Sequence, residues 1–391
     1  MKKTSLSILG ATGSVGTSAL NIVRDAPEDF EVYTLAAHSN VEKLAQAAIE
    51  VNARRAVIGD ERLFDALKQA LSGSNIEVAA GRRAVIESAA IPVDVVLSAV
   101  VGAAGLEPTL AAIEAGTKVA LANKESLVCA GRLVNAAVKR NGTELLSVDS
   151  EHNAVFQVFE KENSRNVEKV IITASGGPFR TWTYEQMRDV TPEMALKHPN
   201  WSMGRRITIN SATLMNKGFE VIEAFHLFPI EPHQLDVLVH PQSLVHGLVQ
   251  YDDGSLLAHL STPDMRTPIA HCLGYPKRRK VELERLDLGS IGALSFEKPD
   301  VKRFPMLGLA FEAMKHGDGA GAAVNAADEI AVGAFLDKTI GFLDMAVIVD
   351  NVLNTMLQRH GLKQPSSVEE VLEIDSLARR LAHEQVMTKA A

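Results

Sequence analysis

Cysteine is almost absent from this chain: Cys129 and Cys272 are its only two, both in apolar, helix-like surroundings. Two such thiols exclude a disulfide framework and make a reducing cytoplasm the expected compartment. Long apolar runs are missing as well. No uninterrupted hydrophobic segment reaches the length of a membrane span, and Met1-Lys2-Lys3 leads into a strand-like segment instead of a signal-peptide core. The expectation is a cytosolic protein with no membrane partner. An excess of positive charge is lacking too. The net charge is -8, and the one basic run, Lys277-Arg278-Arg279-Lys280, reads as a solvated linker. That balance excludes the electrostatic footprint of nucleic-acid binding. What remains, 391 residues of which 46% are hydrophobic and 23% charged, suffices for two or three domains around large cores.

The first 149 residues alternate strand-like and helix-like segments. Strands are expected at 5–9, 31–36, 55–59, 76–80, 93–99 and 117–122, separated by alanine-rich helical stretches. Such alternation implies a parallel sheet covered by helices on both faces, with ligands at the carboxyl ends of its strands. The first strand runs into Gly10-Ala11-Thr12-Gly13-Ser14-Val15-Gly16 and then a helical pattern through Leu20 and Val23. Glycines between a strand and a helix let backbone amides approach a pyrophosphate, whose charge the helix N-terminus favours. A dinucleotide site is therefore expected, although the spacing is GxxGxxG and not GxGxxG.

The second strand is followed by Ala37-His38-Ser39-Asn40, with no acid. An NAD site usually places a carboxylate there for the ribose hydroxyls. An imidazole, a hydroxyl and an amide instead suit the 2′-phosphate of NADP, an ordinary loop being the plain alternative. Asn123-Lys124-Glu125, after the strand at 117–122, reads as ligand contacts or as a helix start. Asp149 and Glu151 follow the apolar run 145–148. On a strand, i and i+2 share a face roughly 6 to 7 Å apart. Two carboxylates so placed call for a divalent cation or a shared proton, the competing reading being a solvated strand end.

In the middle of the chain, a strand at 167–173 ends in Ser175-Gly176-Gly177, which suits an anion held by backbone amides or a plain turn. The stretch 198–206, with His198, Trp201, Met203 and Gly204, has no regular period and suits an apolar lid, though Trp201 and Met203 fit a core equally. In Ser211 to Glu220 a helix is expected to start at the serine. Met215, Phe219 and Ile222 would form its buried stripe, with Asn216, Lys217 and Glu220 on the neighbouring face. That face suits a phosphate and a third metal carboxylate, or a solvated Lys-Glu pair. Strands at 235–239, 244–251 and 255–261, turning at Asp252-Asp253-Gly254, could pair a domain with its twin. Residues 275–305 read as a linker. The tail reads as four helices, 306–315, 325–336, 343–357 and 368–387, with Asn325 to Glu329 capping the start of the second.

Seven of these stretches, in this order along nearly the whole chain, resemble the 1-deoxy-D-xylulose 5-phosphate reductoisomerase family: 10–16, 122–126, 148–153, 174–178, 198–204, 211–220 and the helical tail. The resemblance implies an α/β protein with an N-terminal Rossmann-like parallel sheet (1–149, NADPH-binding), a central α+β catalytic domain (150–276), a linker (277–303) and a C-terminal helical bundle (304–391). It implies a metal site of Asp149, Glu151 and Glu220, catalytic together with Lys124. Substrate contacts would be Lys124, Ser150, Glu151, Ser175, His198, Trp201, Ser211, Asn216, Lys217 and Glu220. Cofactor contacts would be Thr12, Gly13, Ser14, Val15, His38, Ser39, Asn40, Asn123, Glu125 and Gly204. The expected activity is NADPH- and divalent-metal-dependent (Mg2+, Mn2+ or Co2+) conversion of 1-deoxy-D-xylulose 5-phosphate to 2-C-methyl-D-erythritol 4-phosphate by a homodimer. The chain departs from similar sequences at Ala37-His38-Ser39, where a glycine and a basic residue are common, so the groups that hold the 2′-phosphate stay open. Rival readings are a metal-dependent sugar-phosphate isomerase without net redox change and an NADPH-sensing module without turnover.

Overall fold

A computed structural model describes residues 2–201 and 203–390, with the side chains of Ala390 and the whole of Ser202 outside the description. The chain forms two compact units. The first comprises residues 1–126, 134–153 and 264–283, and the second 127–133, 154–263 and 284–391.

The first unit is built from β1 (Thr4–Leu9), α1 (Ser14–Asp25), β2 (Phe30–Ala37), α2 (Val41–Glu50), β3 (Arg55–Ile58), α3 (Phe64–Ala70), β4 (Glu77–Ala80), α4 (Arg82–Ala89), β5 (Val95–Ser98), α5 (Leu106–Glu114), β6 (Lys118–Leu121), the two ends of α6 (Glu125–Asn141), β7 (Leu145–Ser147) and the first turn of α7 (Ser150–Val158). Its seven strands form one parallel sheet in the order β4-β3-β2-β1-β5-β6-β7. The central strands read as apolar runs because both of their faces are covered: Leu6, Ile8, Leu9, Leu35, Val96, Leu97 and Val119 have at most 2% exposure. Helix α1 contributes Ala19, Leu20, Ile22 and Val23 to that core from one stripe. The strand order reverses between β1 and β5, which opens a crevice at the carboxyl edge where ligands bind in such sheets. The parallel sheet expected from the alternation is present, each expected strand within two residues of its observed bounds.

The second unit contains β8 (Val167–Ala174), α8 (Pro192–Ala195), α9 (Arg205–Ala212), α10 (Met215–Leu227), β9 (Leu235–Val239), β10 (Val245–Tyr251) and β11 (Leu256–Leu260); α11 (Arg266–Gly274) belongs to the first unit. The four strands form a mixed sheet, β11-β10-β8-β9, with the hairpin at Asp252 to Gly254 as expected. Residues 284–303 hold only the short α12 (Leu288–Ile291) and a bridge from Glu297 to Val239. The C-terminal helices are α13 (Pro305–His316), α14 (Asp318–Leu336), α15 (Asp344–Arg359) and α16 (Val368–Ala390). No helix among the described residues is long and apolar enough to cross a membrane.

Three local expectations need correction. First, α14 begins at Asp318, seven residues before Asn325, so Asn325 to Glu329 lie in its interior and cap nothing. The glycines that disfavour a helix here are required by packing. A Cβ on Gly321 would stand 2.1 Å from the Val128 carbonyl oxygen, and one on Gly319 2.5 Å from that of Lys363, so close approach outweighs an intrinsic cost of about 1 kcal/mol per glycine. Second, Ser211 closes α9 instead of opening a helix. The chain breaks at Leu214, whose φ is 63°, before α10 starts. A left-handed leucine costs roughly 1–2 kcal/mol, offset by burial of its side chain to 3% exposure. Third, β7 ends at Ser147 and Glu151 sits in the first turn of α7, so Asp149 and Glu151 do not share a strand face.

Candidate active site

The glycine turn after β1 is shaped by contacts that exclude side chains. Gly10 has φ 90°, and a Cβ there would lie 2.3 Å from the Ala99 carbonyl oxygen; a Cβ on Gly16 would lie 2.3 Å from the Gly10 oxygen. Gly13 differs. Its nearest hypothetical contact is 3.4 Å, and both it and Ser14 are exposed. Helix α1 starts behind Gly13 with no side-chain cap and no acid in its first turn. Its leading amides and positive dipole end are thus left to an external anion, so the turn fits a dinucleotide pyrophosphate.

The loops after β5 and β6 are tied together beside this turn. Asn123, 1% exposed, donates to the carbonyls of Val100 (2.6 Å) and Gly102 (2.9 Å) and to Glu125 (3.0 Å), while its oxygen accepts from the Ser126 amide at 3.0 Å. Glu125 in turn accepts from the Gly102 amide at 3.1 Å. These two side chains brace the loop wall. Asn40 is similarly engaged, its oxygen capping α2 through the Lys43 amide at 3.0 Å. His38 and Ser39 are exposed at the end of β2, and Thr12 and Val15 are half-buried.

Lys124 is nearly buried at 8% exposure, and its ammonium stands 2.5 Å from Asp149. The Asp149 amide donates to Ser147 Oγ at 3.2 Å, and Ser150 Oγ donates to Glu151 at 2.6 Å. Two half-buried carboxylates beside a lysine result.

In the second unit, β8 and the turn after it, the 198–201 loop and α9 bring three predicted residues together. His198 Nε2 lies 3.1 Å from Ser175 Oγ and 3.0 Å from Ser211 Oγ. Its Nδ1 accepts two backbone amides, from Asn200 at 3.1 Å and Trp201 at 2.9 Å. Two donors on Nδ1 require the ring proton to sit on Nε2, so His198 donates toward the serine hydroxyls. Burial holds its pKa down at about 4, keeping the ring neutral at physiological pH. Gly177, with φ 67°, is needed because a Cβ would lie 2.9 Å from the Ser211 carbonyl oxygen. The loop is anchored: Asn200 donates to the Pro241 carbonyl (2.7 Å) and Ser243 Oγ (2.9 Å), and Trp201 stands edge-on to His246 with ring centroids 6.3 Å apart. Gly204 is the exposed N-cap of α9.

Helix α10 carries Asn216, Lys217 and Glu220 as the 3.6-residue period requires. The pair is not solvated: Lys217 is 2% and Glu220 0% exposed. Lys217 donates to Glu220 one turn away, and Asn216 donates to its other oxygen at 2.5 Å. Both oxygens of this deep carboxylate thus face donors, an arrangement that favours the charged form. Asp149, Glu151 and Glu220 are all hard oxygen donors of the kind that bind Mg2+ or Mn2+, so the donor set fits a divalent cation.

An ionic network gathers around the buried Asp328, in a stretch whose sequence reads as a helix cap. Arg206 on α9 contacts Glu329 (2.9 Å), Asn325 (2.9 Å) and Asp328 (3.3 Å), and Asn210 donates to Asp328 at 2.9 Å. Arg379 on α16 extends it to Glu329 and Asp375. Burial raises the Asp328 carboxyl to about 6 against the pull of Arg206 and Asn210, with Glu329 adding to the rise. A raised carboxyl pKa means that the folded state holds the proton more tightly than the unfolded chain, so stability is lost as pH rises from about 4 through about 6. Asp328→Asn, which removes that ionisation, is expected to stabilise the protein by about 3 kcal/mol at neutral pH and by almost nothing below pH 4. Melting temperatures across that range check this; a constant difference would contradict it.

Comparisons with known proteins agree with these features. Residues 6–131 match the family described as 1-deoxy-D-xylulose 5-phosphate reductoisomerase, residues 145–228 its C-terminal domain, and residues 260–381 the DXP reductoisomerase C-terminal domain. The chain is 52% identical to the 1-deoxy-D-xylulose 5-phosphate reductoisomerase of Zymomonas mobilis over 96% of its own length and 95% of the relative's. It is 50% identical to that of Nitrobacter hamburgensis over 96% and 93%. Among solved structures it resembles the Zymomonas mobilis reductoisomerase in complex with NADPH, with a TM-score of 0.91 and 49% identity over 99% of both chains. It also resembles a DOX-P reductoisomerase in complex with NADPH, fosmidomycin and magnesium, with a TM-score of 0.93 and 42% identity over 98% of both.

Proposed function

The chain belongs to the 1-deoxy-D-xylulose 5-phosphate reductoisomerase family, and from that premise we propose how its residues divide the work. It is an NADPH- and divalent-metal-dependent reductoisomerase that makes 2-C-methyl-D-erythritol 4-phosphate from 1-deoxy-D-xylulose 5-phosphate in isoprenoid precursor synthesis. Residues 1–149 hold NADPH, 150–276 carry substrate and metal groups, 277–303 link, and 304–391 support the catalytic part. Thr12 to Val15 receive the pyrophosphate, with His38, Ser39 and Asn40 toward the adenosine ribose and Asn123, Glu125 and Gly204 as further contacts. Asp149, Glu151 and Glu220 hold the cation. When bound, the cation supplies Lewis acidity to neighbouring substrate oxygens and NADPH supplies the hydride that reduces the branched aldehyde.

The chain's own groups do the rest. Lys217, Asn216, Ser175, Ser211 and neutral His198 donate to the phosphate. Ser150 and Lys124 face the reacting carbons' oxygens. Lys124 stabilises the oxyanion that develops when the C3–C4 bond breaks and moves a proton to or from it. Keeping the two fragments, a hydroxyacetone enediolate and glycolaldehyde phosphate, in place until they recombine is the task of the phosphate donors and of Trp201 above them. The observation that carries this reading is Glu220, a carboxylate with no exposure whose two oxygens accept from Asn216 and Lys217.

The test is NADPH absorbance with 1-deoxy-D-xylulose 5-phosphate, with and without Mg2+ or Mn2+. Metal-dependent loss of NADPH is expected; product without NADPH loss would indicate an isomerase, and no turnover a sensor. The same reading makes the protein a cytoplasmic homodimer. Supporting the dimer, edge strand β11 exposes Leu256 (50%) and Leu257 (37%) beside unpaired backbone. Sedimentation should give twice the chain mass, and Leu257→Lys should lower it toward one; a monomeric parent would refute the dimer.

A further inference from the structure

The loop after β2 has no Arg or Lys to meet the extra phosphate that distinguishes NADPH from NADH, but the fold places a cation beside it. The Gly59 amide donates to the Ala37 carbonyl at 2.8 Å and the Asp60 amide to the His38 carbonyl at 2.9 Å, so the turn after β3 runs alongside 37–39. The His38 ring lies over Gly59, where a Cβ would come within 3.0 Å of Nδ1. Arg62 then folds back on Asp60 as a fork, Nε to Oδ1 at 2.9 Å and Nη2 to Oδ2 at 2.7 Å, with its side chain 87% exposed. Asp60 also accepts the Arg62 amide at 3.1 Å as the cap of a short 3-10 turn over Glu61–Leu63.

An acid at this place needs explanation. A carboxylate near the 2′ position serves NAD and repels NADP, yet the Asp60 amide bonded to the His38 carbonyl puts this acid beside the loop. Arg62 resolves the conflict by neutralising Asp60 and bringing a planar guanidinium to the rim of the loop. Guanidinium binds phosphate through the same two parallel hydrogen bonds with which it binds a carboxylate. An exposed fork of this kind holds its partner weakly, whereas a phosphate dianion offers more charge and more acceptor oxygens.

We propose that Arg62, together with His38 and Ser39, forms the 2′-phosphate subsite for NADPH, and that Arg62 exchanges Asp60 for the phosphate when the cofactor binds. This rests on the reading of the β1–α1 turn as a dinucleotide site. Asp60 is then a gate on affinity: it parks the arginine within reach of the loop and competes with the ligand for it. Sequence reasoning reached His38 and Ser39 but had no reason to look at Arg62, which lies 23 residues beyond Ser39 and joins it only through the β2–β3 pairing.

The test is binding to the full-length protein without substrate, by NADPH fluorescence and by calorimetry with NADH and adenosine 2′,5′-bisphosphate. Arg62→Gln is expected to weaken NADPH and the bisphosphate by about tenfold to a hundredfold and NADH by less than about twofold. Asp60→Asn, which retains a capping side chain, is expected to tighten NADPH by about threefold or more, and the double variant should bind like Arg62→Gln. A purely structural role would weaken all three ligands together and would give Asp60→Asn no gain. If the parent prefers NADPH to NADH but Arg62→Gln leaves that ratio unchanged, the subsite is wrong and the dinucleotide site stands. A parent that binds neither dinucleotide would overturn the dinucleotide reading itself.

Discussion

Glu220→Gln is expected to lower kcat by about a thousandfold or more and to leave the Kd for NADPH within about twofold of the parent value. The substitution is nearly isosteric but changes two things. It takes a negative charge from the donor set proposed for the cation, and a Lewis acid contributes several kcal/mol of transition-state stabilisation. It also turns one acceptor oxygen into an NH2 group, which meets a donor whichever way the amide is turned: Asn216 Nδ2 on one oxygen's side or the Lys217 ammonium on the other's. Stopped-flow turnover and NADPH titration on the same preparation separate the outcomes. If kcat falls less than tenfold, the metal assignment fails, and if NADPH binding disappears as well, the fold has been damaged.

Lys217→Met is expected to raise KM for the phosphorylated substrate about a hundredfold and to lower folding stability by about 3–5 kcal/mol. The second effect follows from burial. With the ammonium gone, Glu220 stays at 0% exposure with Asn216 as its remaining donor in the α10 turn, and breaking one side of a buried ion pair costs that much because the other charge is left behind. The double variant Lys217→Met, Glu220→Gln removes both charges and should recover most of the stability but none of the activity. Denaturant titrations of the two single variants and the double variant give the coupling directly. An additive result would mean that the two side chains do not sustain each other.

The parallel sheet was legible because buried strands announce themselves as apolar runs between amphipathic helices, and the turn 10–16 because glycine has few other reasons to recur there. Asn216, Lys217 and Glu220 could be placed on one helical face from spacing alone. Their burial could not, since the same pattern describes a solvated ion pair, and only the enclosing chain decides. The break at Leu214 left no trace, because leucine has no preference for positive φ and the surrounding packing imposes it. Helix α14 was half hidden for the opposite reason: Gly319 and Gly321 look like breakers locally and are demanded by carbonyls distant in sequence. Glu151 shows the smallest of these errors. The expected strand face gives way to a helix that starts at Ser150, two residues after the apolar run ends.

The two amides on His198 Nδ1 have a consequence for how the site meets its ligand. Because the loop itself dictates where the ring's single proton resides, and burial keeps a second one off until about pH 4, the imidazole does not change charge across the range in which a phosphate monoester passes from monoanion to dianion, near pH 6. In the phosphate-binding role proposed for it, His198 is an ionisation-blind hydrogen-bond donor, so the acidity that governs docking there belongs to the incoming sugar phosphate and not to the polypeptide.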